Sequence, residues 1–421
     1  MSKVSFYSEK NFKKTEIGKI PREWEVRRLG DKNFFKITMG QSPPSKSFNQ
    51  IGKGVPFLQG SAEFGFLYPK TNKFTTQPYK LAVRDSVLLS VRAPVGDINI
   101  ADKEYCIGRG LSAIKPINVN LFYLFYILQF LKPKIEQLGG GSTFKAISKK
   151  QIEDFKIPLP PLEEQKNIAK VLKDFDDLLE NIDKQIKTLG RVKKGLMNIY
   201  FTKGVFKHET FKDTEIGRIP AEWEVRRLGN IAKVKRGASP RPKGDPKYFS
   251  KQKTNIHWIK ISDIAKYKQG IYLINTDEYL TELGKNKSVY IEPGTLIISN
   301  SGTVGKPVIV KIPACIHDGF LAIENIKQTF QEYLYYFFEF YNPKLKNFAQ
   351  QGTQANLNTK IVSNIKLPLP PLEEQKAIAE RLKTIDNQIE NLKKQKKHLQ
   401  KVKKKFMELL LTGKVRVRIH F

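Results

Sequence analysis

The nonapeptide PLPPLEEQK stands at 158–166 and again, letter for letter, at 368–376. A second echo, TEIGKIPREWEVRRLG at 15–30 against TEIGRIPAEWEVRRLG at 214–229, precedes each copy in the same order. The chain is a tandem duplication, so one set of folding rules has to hold in both halves. Within the nonapeptide the prolines stop the preceding strand and preset a first helical turn, and the glutamates after them suit the positive end of a helix.

Downstream of the first copy, Ile168, Phe175, Ile182, Leu189 and Leu196 fall seven apart, with Val171, Leu178, Gln185, Val192 and Ile199 between them. That spacing predicts a coiled-coil seam sustained over five heptads. The second copy offers Ile378, Ile385, Leu392, Leu399 and Phe406 at one position, and Arg381, Gln388, Gln395, Val402 and Leu409 at the other. The glutamines are expected to fix the register of the pair. Translational stacks need three or more repeats, whereas a two-fold closes with two. The helices are therefore expected to pair antiparallel about a pseudo-two-fold. At 1.5 Å per residue, about 35 residues separate the bodies by roughly 50 Å. One turn of DNA is about 34 Å, so the bodies are expected in successive grooves.

Ahead of each helix the sequence reads as a head and a body. The head carries Trp24, Val26 and Leu29, repeated as Trp223, Val225 and Leu228. The body opens with a glycine-serine-proline turn, MGQSPP at 39–44 and RGASPRP at 236–242. Short runs rich in Val, Ile and Leu follow, VPFLQGS at 55–61 over IHWIKIS at 256–262 among them, and these predict strands. An aromatic helix is expected at 120–131 and at 330–341. The fold class is α+β: a mixed α/β body plus a long helix, duplicated. The domains are 1–157 (head and body), 158–205 (first long helix), 206–367 (head and body) and 368–421 (second long helix and tail).

Charge points to the partner. The chain has 421 residues, and its 74 Lys and Arg against 41 Asp and Glu give a net +33, which calls for a polyanion, nucleic acid first. No run of about 18 apolar residues offers a membrane span, and the N-terminus lacks the apolar core of a signal peptide, so a cytoplasmic protein is expected. Cys106 and Cys315 fall at equivalent places, in YCIGRGLSAI (105–114) and ACIHDGFLAI (314–323). Two cysteines build neither a disulfide framework nor a four-ligand zinc site; they read as small buried strand residues.

Motifs for chemistry are weak. SGTVGKP at 301–307 lacks the spacing and hydroxyl of a phosphate loop, and GRGLSA at 108–113 loses one of its two glycines in its duplicate HDGFLA. GGGSTF at 139–144 reads as a loop. The histidines 208, 257, 317, 398 and 420 show no ligand spacing, and the HDG at 317–319 is GRG in the other half. No catalytic residue, metal site or cofactor is expected in this chain.

What differs between the halves is informative. The bodies keep an apolar skeleton and change polar residues: Arg92 aligns with Ser301, Arg109 with Asp318 and Gln59 with Lys260. One scaffold with two polar faces suits the reading of two short base sequences. The order of head, variable body and LPLPPLEEQ helix, twice over, resembles the DNA-specificity subunit of type I restriction-modification systems. The resemblance implies two target recognition domains, with bodies at 32–157 and 231–367, each reading half of a split site on double-stranded DNA. It also implies paired helices that set the gap, two methyltransferase subunits for adenine methylation, and restriction subunits that cleave unmodified DNA. S-adenosylmethionine, ATP and magnesium would then belong to those partners.

For DNA contact the polar side chains at turns are expected: Ser42, Lys46, Gln59, Ser61, Arg84, Arg92, Arg109 and Lys145 in the first body. In the second they are Arg236, Ser239, Arg241, Lys243, Lys260, Asn300, Ser301, Lys306 and Gln354. The helix starts Leu162, Glu163, Glu164, Gln165 and Leu372, Glu373, Glu374, Gln375 are expected to meet the methyltransferase. Two other readings stay open, a coiled-coil DNA-binding scaffold without sequence readout and a stand-alone nuclease or methyltransferase.

Overall fold

The computed structural model describes residues 3–140, 146–301, 304–350 and 357–420. It divides into two compact units, Met1–Asn181 with Lys396–Phe421, and Ile182–Gln395. Four helices organise them: α1 (Leu121–Phe130), α2 (Leu162–Tyr200), α3 (Gln331–Gln350) and α4 (Leu372–Leu411). Each unit contains one body, the start of its own long helix and the end of the other long helix.

In the first unit a four-stranded antiparallel sheet runs in the order Ile98–Ile100, Val87–Ser90, Leu111–Pro116, Phe35–Met39. A second sheet centres on a parallel pair, Val55–Leu58 beside Tyr105–Ile107, with Cys106 opposite Phe57. The second unit repeats this plan. There His257–Ile259 lies parallel to Ala314–Ile316, with Cys315 opposite Trp258. Both cysteines are buried and free.

Helix α1 is apolar all round and buried from Tyr123 to Leu128, as a helix covered on every side must be. Asn120 caps it by accepting from the Tyr123 amide at 3.0 Å. Helix α3 runs through Pro343 to Gln350, beyond the expected end near 341. Its counterpart breaks after Leu131, and a short helix with Pro133 in its first turn begins at Lys132.

The repeated nonapeptide explains itself in the structure. The strand Lys156–Leu159 pairs antiparallel with the head strand Glu25–Arg28, and Lys366–Leu369 pairs with Glu224–Arg227. Each is a two-stranded ladder, where a proline without an N–H is tolerated on the outer edge. The Pro158 carbonyl accepts from the Tyr123 hydroxyl at 2.7 Å, and Pro368 from Tyr333 at 2.8 Å. Gln165 accepts from the Asn120 amide and donates to the Pro160 carbonyl; Gln375 accepts from Phe330 and donates to Pro370. Thus each glutamine ties the start of the long helix to the start of the aromatic helix.

The glutamate beside it is also internal. Glu164 accepts from the fully buried Trp24 indole at 2.9 Å, and Glu374 from Trp223 at 2.8 Å. A buried carboxylate needs further donors. Arg416 supplies them to Glu164; the Val205 and Phe206 amides and His208 supply them to Glu374. These contacts correct the sequence expectation. Glu164, Gln165, Glu374 and Gln375 are buried and hold the head, body and helix together, leaving Leu162, Glu163, Leu372 and Glu373 exposed at the two helix starts.

The helix seam is corrected as well. Ile168, Phe175, Ile182, Leu189 and Leu196 lie inward as expected, but Leu178, Val192 and Ile199 are among the exposed hydrophobics. The second seam position is one residue further on: Leu172, Leu179, Ile186, Lys193 and Tyr200. In α4 it is Leu382, Ile389, Lys396, Lys403 and Leu410, while Arg381, Gln388 and Gln395 are exposed. Polar register marks are therefore lysines rather than glutamines. In the first unit Lys403 meets Asp176 at 2.6 Å, and Asp176 accepts from the Tyr126 hydroxyl at 2.7 Å. In the second Lys193 meets Asp386 at 2.7 Å, and Asp386 accepts from Tyr336 at 3.0 Å.

The pairing is antiparallel within each unit. Asn167 reaches Val417 while Asp176 reaches Lys403, and Lys193 reaches Asp386 while Val205 reaches Glu374. The contact Asp176 with Lys403 in the first unit recurs in the second as Asp386 with Lys193, the repeats exchanged. Among the described residues no helix is long and apolar enough to cross a membrane.

Candidate nucleic-acid interface

The glycine-serine-proline turn sits against the loop that leaves the parallel strand pair. A Cβ on Gly40 would lie 2.1 Å from the Gly108 carbonyl oxygen, and one on Gly237 would lie 2.2 Å from that of His317. Only glycine permits that approach. The turn is then fastened by backbone bonds, Gln41 to Ile107 and Gly40 to Leu111 at 2.9 Å each, with Ala238 to Ile316 and Gly237 to Phe320 as counterparts.

This closeness places one serine per body at the head of the strand pair. Ser42 Oγ accepts from the Arg109 amide at 3.3 Å and from Gln59 Nε2 at 3.3 Å. Ser239 Oγ lies 3.5 Å from the Asp318 amide and donates to Asp318 Oδ1 at 2.7 Å. On the far side a short turn is capped in each body, one residue later in the first than in the second. The Gly60 amide bonds Glu63 at 3.2 Å, and the Lys260 amide bonds Asp263 at 2.7 Å. The scaffold is the same in both bodies, and the side chains it presents are not.

In the second body Asp318 gathers four of the nine expected residues, Ser239 among them. Arg236 Nε donates to its carbonyl at 3.3 Å, and Asn300 Nδ2 donates to the same oxygen at 3.0 Å. Arg241 Nη2 lies 4.0 Å from Oδ2, and His317 Nε2 lies 3.0 Å from Oδ1. Ser239, Arg241, Lys243 and Lys260 also line a cavity of about 180 Å³, floored by Trp258 and flanked by Phe249 and His317. Burial raises the Asp318 carboxyl, but the Ser239 hydrogen bond and the neighbouring His317 outweigh it and leave the group below its usual range. Burial depresses the His317 imidazole, despite the carboxylate beside it.

Other expected residues separate from this cluster. Asn300 is buried, so its amide positions the loop and does not face outward. Lys46 and Arg84 are exposed on their own turns, and Arg92 makes an isolated bridge with Ala146. Ser61 opens a short turn just past Gln59, Ser301 flanks Gly319, and Lys306 lies exposed across the hairpin turn from Ser299. Lys145 and Gln354 lie outside the described residues. Asp318 and His317 were not among the expected contacts. The signal for Asp318 was its alignment with Arg109.

These repeated units, with one scaffold and two polar faces, define a two-domain recognition protein. Two segments, 21–189 and 220–401, match the family model described as the type I restriction modification DNA specificity domain, so the chain belongs to that family. It is 34% identical to the type I restriction enzyme MjaVIII specificity subunit of Methanocaldococcus jannaschii, over 99% of this chain and 98% of that one. A second chain of that organism, named for the specificity subunit of type I restriction enzyme MjaX, is 56% identical over 47% of each chain. The crystal structure of a type I restriction-modification system S subunit from M. genitalium has the same fold. It aligns over 92% of this chain and 96% of that one at 17% identity, with a TM-score of 0.58.

Proposed function

We propose that this chain is the DNA-specificity subunit of a type I restriction-modification enzyme. The observation that carries the reading is the repeated strand-end scaffold: the same glycine and serine in each body, bearing Gln59 and Arg109 in one and Lys260, His317 and Asp318 in the other. Two such bodies read two different half-sites, because base edges differ in the donors and acceptors they offer. The surrounding Lys and Arg residues supply sequence-independent attraction to phosphates.

The paired helices act as the ruler for the unread gap. The exposed Leu162 and Leu372, each beside an exposed glutamate, belong to the surface that receives methyltransferase subunits. In this reading the chain binds and positions DNA, and adenine methylation and cleavage are carried out by its partners. S-adenosylmethionine, ATP and magnesium are bound there. The location is the cytoplasm, where the DNA is.

The test is selection of bound duplexes from a randomised pool, using the full chain with its cognate methyltransferase subunits. Two unrelated short half-sites at a fixed gap are expected. Binding that weakens with salt but enriches no sequence would leave a scaffold without readout.

A further inference from the structure

The sequence-dependent contact within each recognition domain has a place in the structure. At the head of the parallel strand pair, residues 109 and 318 occupy the same position, their amides facing the scaffold serine. Ligands commonly bind beyond the carboxyl ends of such strands. The backbone frame of the position is repeated, including the glycine contact and the bond from the next strand end, Val91 to Gly110 and Asn300 to Gly319, at 2.9 Å each. On that frame the side chain changes from a guanidinium to a carboxylate, and its neighbours change with it, Gly108 to His317 and Gln59 to Lys260.

A carboxylate is out of place on a face meant for a polyanion. Beside Asp318 stand Arg236 and Arg241, and Arg241 shares the small cavity next to His317 with Lys243 and with Lys260, which is paired to Glu278. These four cations suit phosphates; Asp318 repels them. Its backbone is tied by Arg236 and Asn300, and its Oδ1 by Ser239 and His317. Its Oδ2 lies 4.0 Å from Arg241, beyond hydrogen-bond distance, and the side chain is 37% exposed. A fixed acceptor with an open oxygen is what an exocyclic amino group of a base requires, and nearby cations suit the phosphates on either side of that base.

We propose that Asp318 reads a base in the second half-site by accepting a hydrogen bond from an exocyclic amino group, cytosine N4 or adenine N6. Arg109 with Gln59 occupies the equivalent place in the first domain, donating to guanine O6 and N7 or to the adenine edge. Arg236, Arg241, Lys243 and Lys260 hold the flanking phosphates. The proposal deepens the specificity-subunit reading and rests on it.

The experiment compares the base profile of the wild-type complex with those of Asp318→Asn and Arg109→Ala, using the full chain, its methyltransferase subunits and the randomised duplex pool. Asp318→Asn keeps the shape and the Ser239 contact. It is expected to lose roughly 5- to 150-fold discrimination at one base of the second half-site, leaving the first half-site unchanged. Affinity for unrelated duplex stays level or rises, because a negative charge has gone. Arg109→Ala, at an exposed side chain, is expected to mirror this in the first half-site. A merely structural Asp318 would instead weaken all sequences alike and flatten no single position. Unchanged profiles in both variants, with two half-sites still selected by wild type, overturn this proposal alone. If wild type selects no half-site, the specificity-subunit reading fails with it.

Discussion

Replacing Lys193 by methionine tests how the long helices are held. The Lys193 side chain is 9% exposed, and its ammonium lies 2.7 Å from Asp386 Oδ1, 2.7 Å from Glu339 Oε2 and 5.1 Å above the Tyr336 ring. Methionine matches the stem and removes the charge. Glu339, 37% exposed, returns to water, but Asp386, 17% exposed, is left with the Tyr336 hydroxyl as its donor. Breaking a buried pair from one side costs about 3–5 kcal/mol, because the remaining charge is stranded. For a unit of roughly 200 residues, about 2–4 °C per kcal/mol converts this to a fall of roughly 6–20 °C in one calorimetric transition. The double change Lys193→Met with Asp386→Leu is expected to recover most of that loss, since an apolar pair of similar volume replaces a buried ion pair at little cost. Lys403→Met repeats the experiment in the first unit, where Lys403 meets Asp176 beneath Tyr126. A shift below about 2 °C for Lys193→Met, or a double variant as unstable as the single, would refute the reasoning.

Three further outcomes follow from the geometry. His208 is held between Glu374 and Glu222; burial alone would depress its pKa, but hydrogen bonds to the two carboxylates outweigh it and raise it. Its stabilisation is therefore complete below about pH 6.5, the unfolded value, and is lost as pH rises through the raised folded value. Melting temperature measured from pH 5.5 to 9 should show this loss in wild type and not in His208→Gln. Leu162→Glu with Leu372→Glu should weaken methyltransferase binding at least tenfold in titration calorimetry while leaving the melting temperature within about 2 °C, since both side chains are exposed. Arg241→Gln should lower the slope of log affinity against log salt by about 1 if it contacts a phosphate, uniformly across sequences.

Much of this fold was legible before any coordinates. Duplication identified the repeating unit, the strands and both aromatic helices, because apolar runs bounded by glycine and proline leave little choice. The seam was half legible. Ile168, Phe175 and Ile182 stand unambiguously seven apart, but the second position offered neighbours such as Val171 beside Leu172 and Leu178 beside Leu179. Lysines at 193 and 403 hid the true stripe, because a lysine enters a seam only where an aspartate from the other helix meets it, and that is a tertiary fact. The glutamate pairs misled for a similar reason. Both residues suit a helix start, yet a tryptophan far away in sequence draws the second one inward. At the candidate interface, residue type singles out Gln59, Arg109, Ser239 and Lys260, which the fold brings to the strand ends, whereas Asp318 is not singled out because an acidic side chain repels phosphates.

The central claim is that each body reads one half-site independently. The most direct measurement maps methylated adenines in DNA exposed to the chain with its methyltransferase subunits, beside a chain whose body 231–367 is replaced by a copy of 32–157. The account predicts one bipartite motif for wild type. In the replaced chain, the half-site of the second body should vanish and that of the first should appear at both ends, across an unchanged gap. An unaltered motif, or loss of both half-sites together with the chain still folded, would contradict it.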